Sequence, residues 1–186
     1  MSVALTLFRR FLYLIVGIAV VAGLLLFSMR FADGPAGIVA GGAFTSGEQH
    51  RGAEPDWTLI KDRQEVEFQL LRPERSRTTW VMEHQGRIYI PCGYMNTTWG
   101  RIWKQWPIEA QTDGRAILRI DDTLYDRQLV RVREGSQIPH LLQELARKYF
   151  QTSASATSSS AREQTLIAMA QQVETGSLWI FELTPR

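Results

Sequence analysis

RSRTTWVMEHQGRIYIPCGYM, Arg75 to Met95, is the stretch on which the fold turns. Thr78 to Glu83 is dense in β-formers, His84-Gln85-Gly86-Arg87 supplies a glycine-containing turn, and Arg87 to Pro91 runs back. Two such runs about a short turn predict an antiparallel hairpin. Upstream, Glu65 to Leu71 alternates, with Val66, Phe68 and Leu70 on one side and Glu65, Glu67 and Gln69 on the other. That period of two predicts a half-buried strand, which Arg72-Pro73-Glu74-Arg75 interrupts.

Downstream the period changes. Trp99, Trp103 and Trp106 are spaced i, i+4, i+7, one stripe of a short helix that Pro107 is expected to stop. Thr112-Asp113-Gly114 reads as a turn, and Ala116 to Ile120 with Thr123 to Val132 as a second hairpin about Asp121-Asp122. Pro139 suits the first turn of a helix whose apolar face carries Ile138, Leu141, Leu142, Leu145 and Tyr149. TSASATSSS, Thr152 to Ser160, is a low-complexity surface loop. Glu163 to Glu174 returns to helical spacing, Gly176 stops it, and Ser177 to Leu183 is a closing strand. Many antiparallel strands with a few interspersed helices predict a small α+β barrel rather than a parallel sheet.

FLYLIVGIAVVAGLLLFSM, Phe11 to Met29, holds no charge over about 19 residues, close to what a bilayer crossing needs. The apolar run exceeds that of a cleaved leader, and Met29-Arg30-Phe31-Ala32-Asp33 offers no small-x-small site. We therefore expect a single uncleaved transmembrane anchor, with the lipid bilayer as partner through Phe11 to Met29. Arg9 and Arg10 precede it, which by the positive-inside rule places the N-terminus in the cytoplasm and the globular part outside. The organisation expected is a short segment 1–10, the anchor 11–29, a glycine-rich flexible tether 30–54, and one globular domain 55–186 containing the loop 152–160.

A formal net charge of +2 gives no basic field for nucleic acid. Cys92 is the single cysteine, which excludes a disulfide framework, and His50, His84 and His140 show no metal-ligand spacing. No Ser-His-Asp order or carboxylate pair stands out, so no catalytic residue is nominated. Two polar clusters fit an anion. Arg75, Ser76, Arg77, Thr78 and Thr79 put two guanidiniums and three hydroxyls within five residues. Asn96, Thr97 and Thr98 lead into the short helix that carries Arg101 and Lys104 as i, i+3 neighbours; with Thr97 or Thr98 as its cap, free N–H groups point at the same spot. Tyr89, Tyr94 and Tyr125 are candidates for a pocket mouth.

The order of strand, hairpin, short helix and hairpin across Val66 to Val132, with Trp179 to Leu183 as an echo, resembles the split β-barrel superfamily. That superfamily holds pyridoxamine-phosphate-oxidase-like FMN-binding proteins and deazaflavin-dependent nitroreductases. The stretches that carry the likeness are Arg75 to Met95, NTTWGRIWKQWP (Asn96 to Pro107) and AILRIDDTLYDRQLVRV (Ala116 to Val132). The glycine turn usual before the second strand is replaced by Arg72-Pro73-Glu74-Arg75-Ser76-Arg77. The resemblance implies an FMN or deazaflavin cofactor held by Arg75, Ser76, Arg77, Thr78, Asn96, Thr97, Arg101 and Lys104. It also implies a homodimer, and redox chemistry on a lipophilic acceptor. The departure at the turn motivates the rival expectation, a degenerate barrel serving as a non-catalytic, envelope-facing binding or assembly module.

Overall fold

The computed structural model describes residues 3–98, 100, 104–150 and 159–186. In chain order the elements are α1 (Val3–Ser28), β1 (Glu48–Gln49), β2 (Glu65–Leu71), β3 (Glu74–Trp80), β4 (Met82–His84), β5 (Arg87–Cys92), α2 (Trp106–Thr112), β6 (Arg115–Ile120), β7 (Thr123–Val132), α3 (Ile138–Tyr149), α4 (Ser159–Glu174) and β8 (Trp179–Pro185). Seven strands pair antiparallel in the order β3-β2-β6-β7-β8-β5-β4, and β1 adds in parallel to the start of β7.

The two end strands of that order, β3 and β4, are separated in the chain by Val81 alone. A sheet whose ends are joined by one residue has to curl round on itself, and the result is the α+β, curled antiparallel half-barrel that the strand pattern predicts. Val81 marks the seam, and the end of α3 serves its backbone there. The Val81 N–H donates to the Tyr149 hydroxyl at 2.9 Å, and Lys148 Nζ donates to the Val81 carbonyl at 2.7 Å. Both main-chain groups of a fully buried residue are thereby satisfied. Burial pushes the Tyr149 phenol up to about 12.

Val66, Phe68 and Leu70 face the barrel interior as their alternation predicts, together with Ile88, Ile90, Leu118 and Phe181. A second apolar layer lies outside the barrel. There Met82, Tyr89 and Ile180 pack under Leu141, Leu142 and Leu145 of α3. Both expected hairpin turns use left-handed residues, Gln85-Gly86 (φ 53° and 72°) and Asp121-Asp122 (φ 48° and 61°), the backbone that a two-residue hairpin requires.

Two expectations change. The strand expected from Thr78 begins at Glu74, because β3 pairs with β2 from Leu71↔Glu74 onward. Arg75, Ser76 and Arg77 are therefore strand residues, not a loop. Trp106 opens α2 instead of closing a helix, since Pro107 occupies the first helical turn, where its missing N–H costs nothing. Trp106 wedges into the barrel with ring centroids 5.0 Å from Phe68 and 5.3 Å from Phe181. Trp99 and Trp103 of the expected stripe and Arg101 of the expected anion set lie outside the described residues, as do residues 152–158 of the expected loop.

Residues 32–46, read by composition as part of a tether, are bonded to the sheet. Gly41 N–H donates to Ser76 O at 3.0 Å, Ser76 Oγ to Gly42 O at 2.6 Å, and Phe44 N–H to Gln69 Oε1 at 2.6 Å. Asp33 accepts from Thr45 N–H at 2.7 Å and pairs at 3.1 Å with Arg119, which also pairs with Glu67 at 2.7 Å. The glycines serve close approach rather than freedom: a Cβ on Gly41 would lie 1.7 Å from the Gly34 carbonyl oxygen, and one on Gly42 2.3 Å from that of Arg30. This collar clips the exit of α1 to edge strand β3. Further along, Glu54 pairs at 3.1 Å with Arg127, whose side chain is 3% exposed and lies over the rings of Trp57 and Tyr125.

Among the described residues one helix, Leu5–Phe31 with its final turn, is long and apolar enough to cross a membrane, with a mean hydropathy of 2.6. Its apolar stretch is not buried against the rest of the described chain.

Candidate functional site

A cleft of about 660 Å³ opens at the seam. Thr78, Thr79 and Trp80 line it from β3, with Pro91, Gly93 and Tyr94 from the end of β5. Leu145, Phe150, Ala168, Met169 and Leu178 supply an apolar side, Lys104 and Glu65 the charges, and Gly37 and Ile38 of the collar a lip.

Its aromatic rim has a structural origin. Trp80 is the last residue of an edge strand, 42% exposed. It stacks on Tyr149 with centroids 4.2 Å apart and planes 8° apart, while Phe150 meets it edge-on at 6.1 Å. The Tyr149 hydroxyl is itself tied to Val81, so the seam contact also fixes the indole. Tyr94 sits at φ 65°, which turns the chain out of β5 and leaves its ring 69% exposed. Lys104 Nζ lies 5.5 Å from that ring centroid and donates to Gly93 O at 3.2 Å. Exposed aromatic faces beside a few polar groups are the make-up of an organic-ligand site.

The expected anion set does not gather here. Thr78 and Lys104 reach the cleft. Arg75 donates to Ala40 O at 3.2 Å, and Ser76 is wholly buried against Gly42. Arg77 donates to Arg75 O at 3.1 Å and pairs with Glu109 of α2 at 3.4 Å. Burial lowers the pKa of both arginines; Glu109 works against that. These three residues thus hold the collar and α2 to β3. Asn96 donates to Thr175 O at 2.6 Å. The Thr97 hydroxyl accepts from Gly100 N–H at 2.9 Å, as a capping residue should. Arg101 lies outside the described residues. Of the three tyrosines, Tyr94 rims the cleft, Tyr89 is buried under the helices, and Tyr125 packs on Trp57. Trp80 and Phe150 were not among the expected site residues. The available signal was an aromatic ending an otherwise polar strand, and another one residue past the last turn of an amphipathic helix.

A second, more open groove runs past His84 and His140, whose rings stack at 5.2 Å. Its carboxylates are already bonded within the chain, Asp56 accepting from Thr58 N–H, Glu83 from Gly86 N–H, and Glu144 pairing with Arg147. Among the described residues no three His, Cys, Asp or Glu side chains cluster to hold a metal ion.

Cys92 is 2% exposed, and burial pushes its thiol up to about 11. The folded state thus favours the neutral thiol, so this contribution to stability is intact below about pH 9 and is lost as pH rises toward 11. Because the thiolate is the reactive form, a disulfide reagent at pH 8 should modify native Cys92 at least about a hundredfold more slowly than the urea-unfolded chain. Equal rates would place the thiol at the surface.

No protein-family model matches the chain, and no curated protein does. Among solved structures it is similar to the conserved hypothetical protein Rv2991 from Mycobacterium tuberculosis, with a TM-score of 0.47 at 9% sequence identity, covering 74% of this chain and 86% of that one.

Proposed function

We propose that this protein is a membrane-anchored half-barrel that holds a planar, amphiphilic cofactor of the flavin or deazaflavin class in the seam cleft, for redox chemistry on a lipophilic acceptor. The observation that carries the reading is the cleft itself: exposed Trp80, Tyr94 and Phe150 beside Lys104 and Thr78. Stacking on Trp80 and Tyr94 suits a fused ring, and Lys104 with Thr78 and Thr79 suits an anionic arm. A flavin, when bound, supplies the hydride and electron chemistry. The chain's own part is to orient the ring, shield it from water and neutralise the arm. The same reading takes a homodimer as the assembly and places the domain outside the cytoplasm. A reporter active only outside the cytoplasm, fused after Arg186, should work; its silence would reverse that side.

Titration of the full chain in detergent with FMN should show binding at roughly tens of micromolar, about −6 to −7 kcal/mol. Trp80→Ala should weaken it about tenfold by removing one stacking face. Lys104→Ala should weaken it less, and Arg77→Ala should leave it unchanged, since Arg77 is spent on Glu109. Absence of binding by both FMN and a deazaflavin at about 100 μM, above −5.5 kcal/mol, would sink the cofactor reading.

One observation favours a second reading. Arg75, Ser76 and Arg77 are all committed to the chain's own backbone and to Glu109, which suits a non-catalytic binding or assembly module. A purified monomer carrying bound flavin would count against it.

A further inference from the structure

We infer that the seam cleft admits the hydrocarbon chain of a bilayer phospholipid, which enters past Ile38. The inference shares the cleft with the reading above but needs no cofactor.

The argument begins at the collar. Gly41 lies against the Gly34 carbonyl, and Gly42 against the Arg30 carbonyl at the exit of the membrane helix. The loop between Gly34 and Gly41 therefore starts and ends at one place, beside that exit. Ala36 and Val39 pair with each other, which leaves Gly37 and Ile38 as the tip. Four residues of chain reach at most about 14 Å, so the tip cannot stray far from the exit. The headgroup layer on each side of the hydrocarbon core is about 5–8 Å thick. Ile38 is thus within about 14 Å of the helix exit, near enough to meet that layer, and it is 88% exposed. Phe31, at the end of the helix, is 77% exposed. Two large apolar side chains bared at this level suit the interface rather than water.

From Ile38 the cleft continues over apolar surface. Leu145, Met169 and Leu178 are nearly buried residues whose remaining surface faces it, with Phe150 and Ala168 alongside. The cleft thus offers an apolar wall between the Ile38 lip and the aromatic rim, with Thr165 and Gln172 beside it. A lipid chain matches such a wall, and the collar's hydrogen bonds hold the lip in place.

The test uses the full chain in phosphatidylcholine vesicles doped with a phosphatidylcholine bearing a diazirine midway along one chain, without any flavin. After photolysis and trypsin, the peptide 163–186 should carry label around Ala168 to Gln172, besides the label expected on α1. Ala168 is exposed and lines the cleft, so Ala168→Trp fills the path without disturbing the core and should cut labelling of that peptide at least fivefold. Ile167 points into a different groove, so Ile167→Trp should leave it unchanged. Label confined to α1 and the collar overturns the inference. So does label on 163–186 that Ala168→Trp leaves intact, or that both variants lower alike. Failure of flavin to bind leaves these outcomes untouched, which separates this inference from the cofactor reading.

Discussion

Gly41→Val should detach residues 32–46 from the sheet while the barrel stays folded. A Cβ at Gly41 meets the Gly34 carbonyl oxygen at 1.7 Å, far inside contact distance, and both partners are backbone, so no side chain can swing away. Relief requires breaking the Gly41–Ser76 and Ser76–Gly42 hydrogen bonds that bind the collar to β3. The amides of Gly41, Gly42, Phe44 and Thr45 should then exchange with deuterium at least about a hundredfold faster, equivalent to about 2.7 kcal/mol of lost local protection. The amides of β6 and β7 should keep most of theirs. Unchanged collar exchange would mean that the close approach at Gly34 is not what secures this segment. Asp33 adds a pH dependence of known sign. Its carboxyl is held down to about 2, first by the Ser46 hydroxyl and then by the Thr45 N–H, with Arg119 contributing. A depressed carboxylate contributes stability that is present above its ordinary value near 4 and is lost as pH falls through about 2, so the collar should hold throughout the neutral range.

Glu54→Ala should destabilise the domain by about 3 kcal/mol or more, although Glu54 is itself 42% exposed. The cost arises on the other side of the pair. Arg127 is buried beside the paired rings of Trp57 and Tyr125, and among the described residues its Nε has no hydrogen-bond partner. Removing Glu54 strands that guanidinium in a low-dielectric site, which is costlier than losing an exposed pair. Arg127→Met should cost clearly less, because it removes the buried charge and keeps most of the packing volume. Urea unfolding of the full chain in mild detergent, followed by tryptophan fluorescence, should place the Glu54→Ala midpoint about 1–2 M below wild type, with Arg127→Met between them. The reverse order would show that the carboxylate is a surface ornament and the cation a packing residue only.

Much of the barrel was legible because its signals are local. Val66, Phe68 and Leu70 advertise an inward face by period two, and Gln85-Gly86 and Asp121-Asp122 mark turns whose left-handed backbone those residues tolerate. Pro139 opening α3 and Gly176 closing α4 are equally local. What was not legible depends on partners distant in sequence. A glycine-rich run reads as a tether until Gly34, Gly41 and Gly42 are seen to be glycines because backbones meet there. Trp106-Pro107 is compatible with a helix end and a helix start, and only the space between Phe68 and Phe181 decides. Arg75 and Arg77 stand out as anion ligands by residue type, and local spacing gives no sign that they also bond to Ala40 O and Glu109, more than thirty residues away. Thr78 and Lys104 reach the cleft, but the rim was missed at Trp80 and Phe150, whose exposure follows from the seam at Val81.

The strand order has a consequence for how the chain comes to be folded in time. β5 is made early with its hairpin partner β4, yet its other neighbour is β8; Arg87 and Glu182 meet across 95 residues. Until β8 has left the ribosome, one edge of β5 and one edge of the second half of β7 lack a neighbouring strand. Contacts of such long range form slowly and leave strand edges open to wrong partners meanwhile. Barrel closure is therefore a late step, and a chain stalled before Trp179 should be a preferred client of chaperones and proteases.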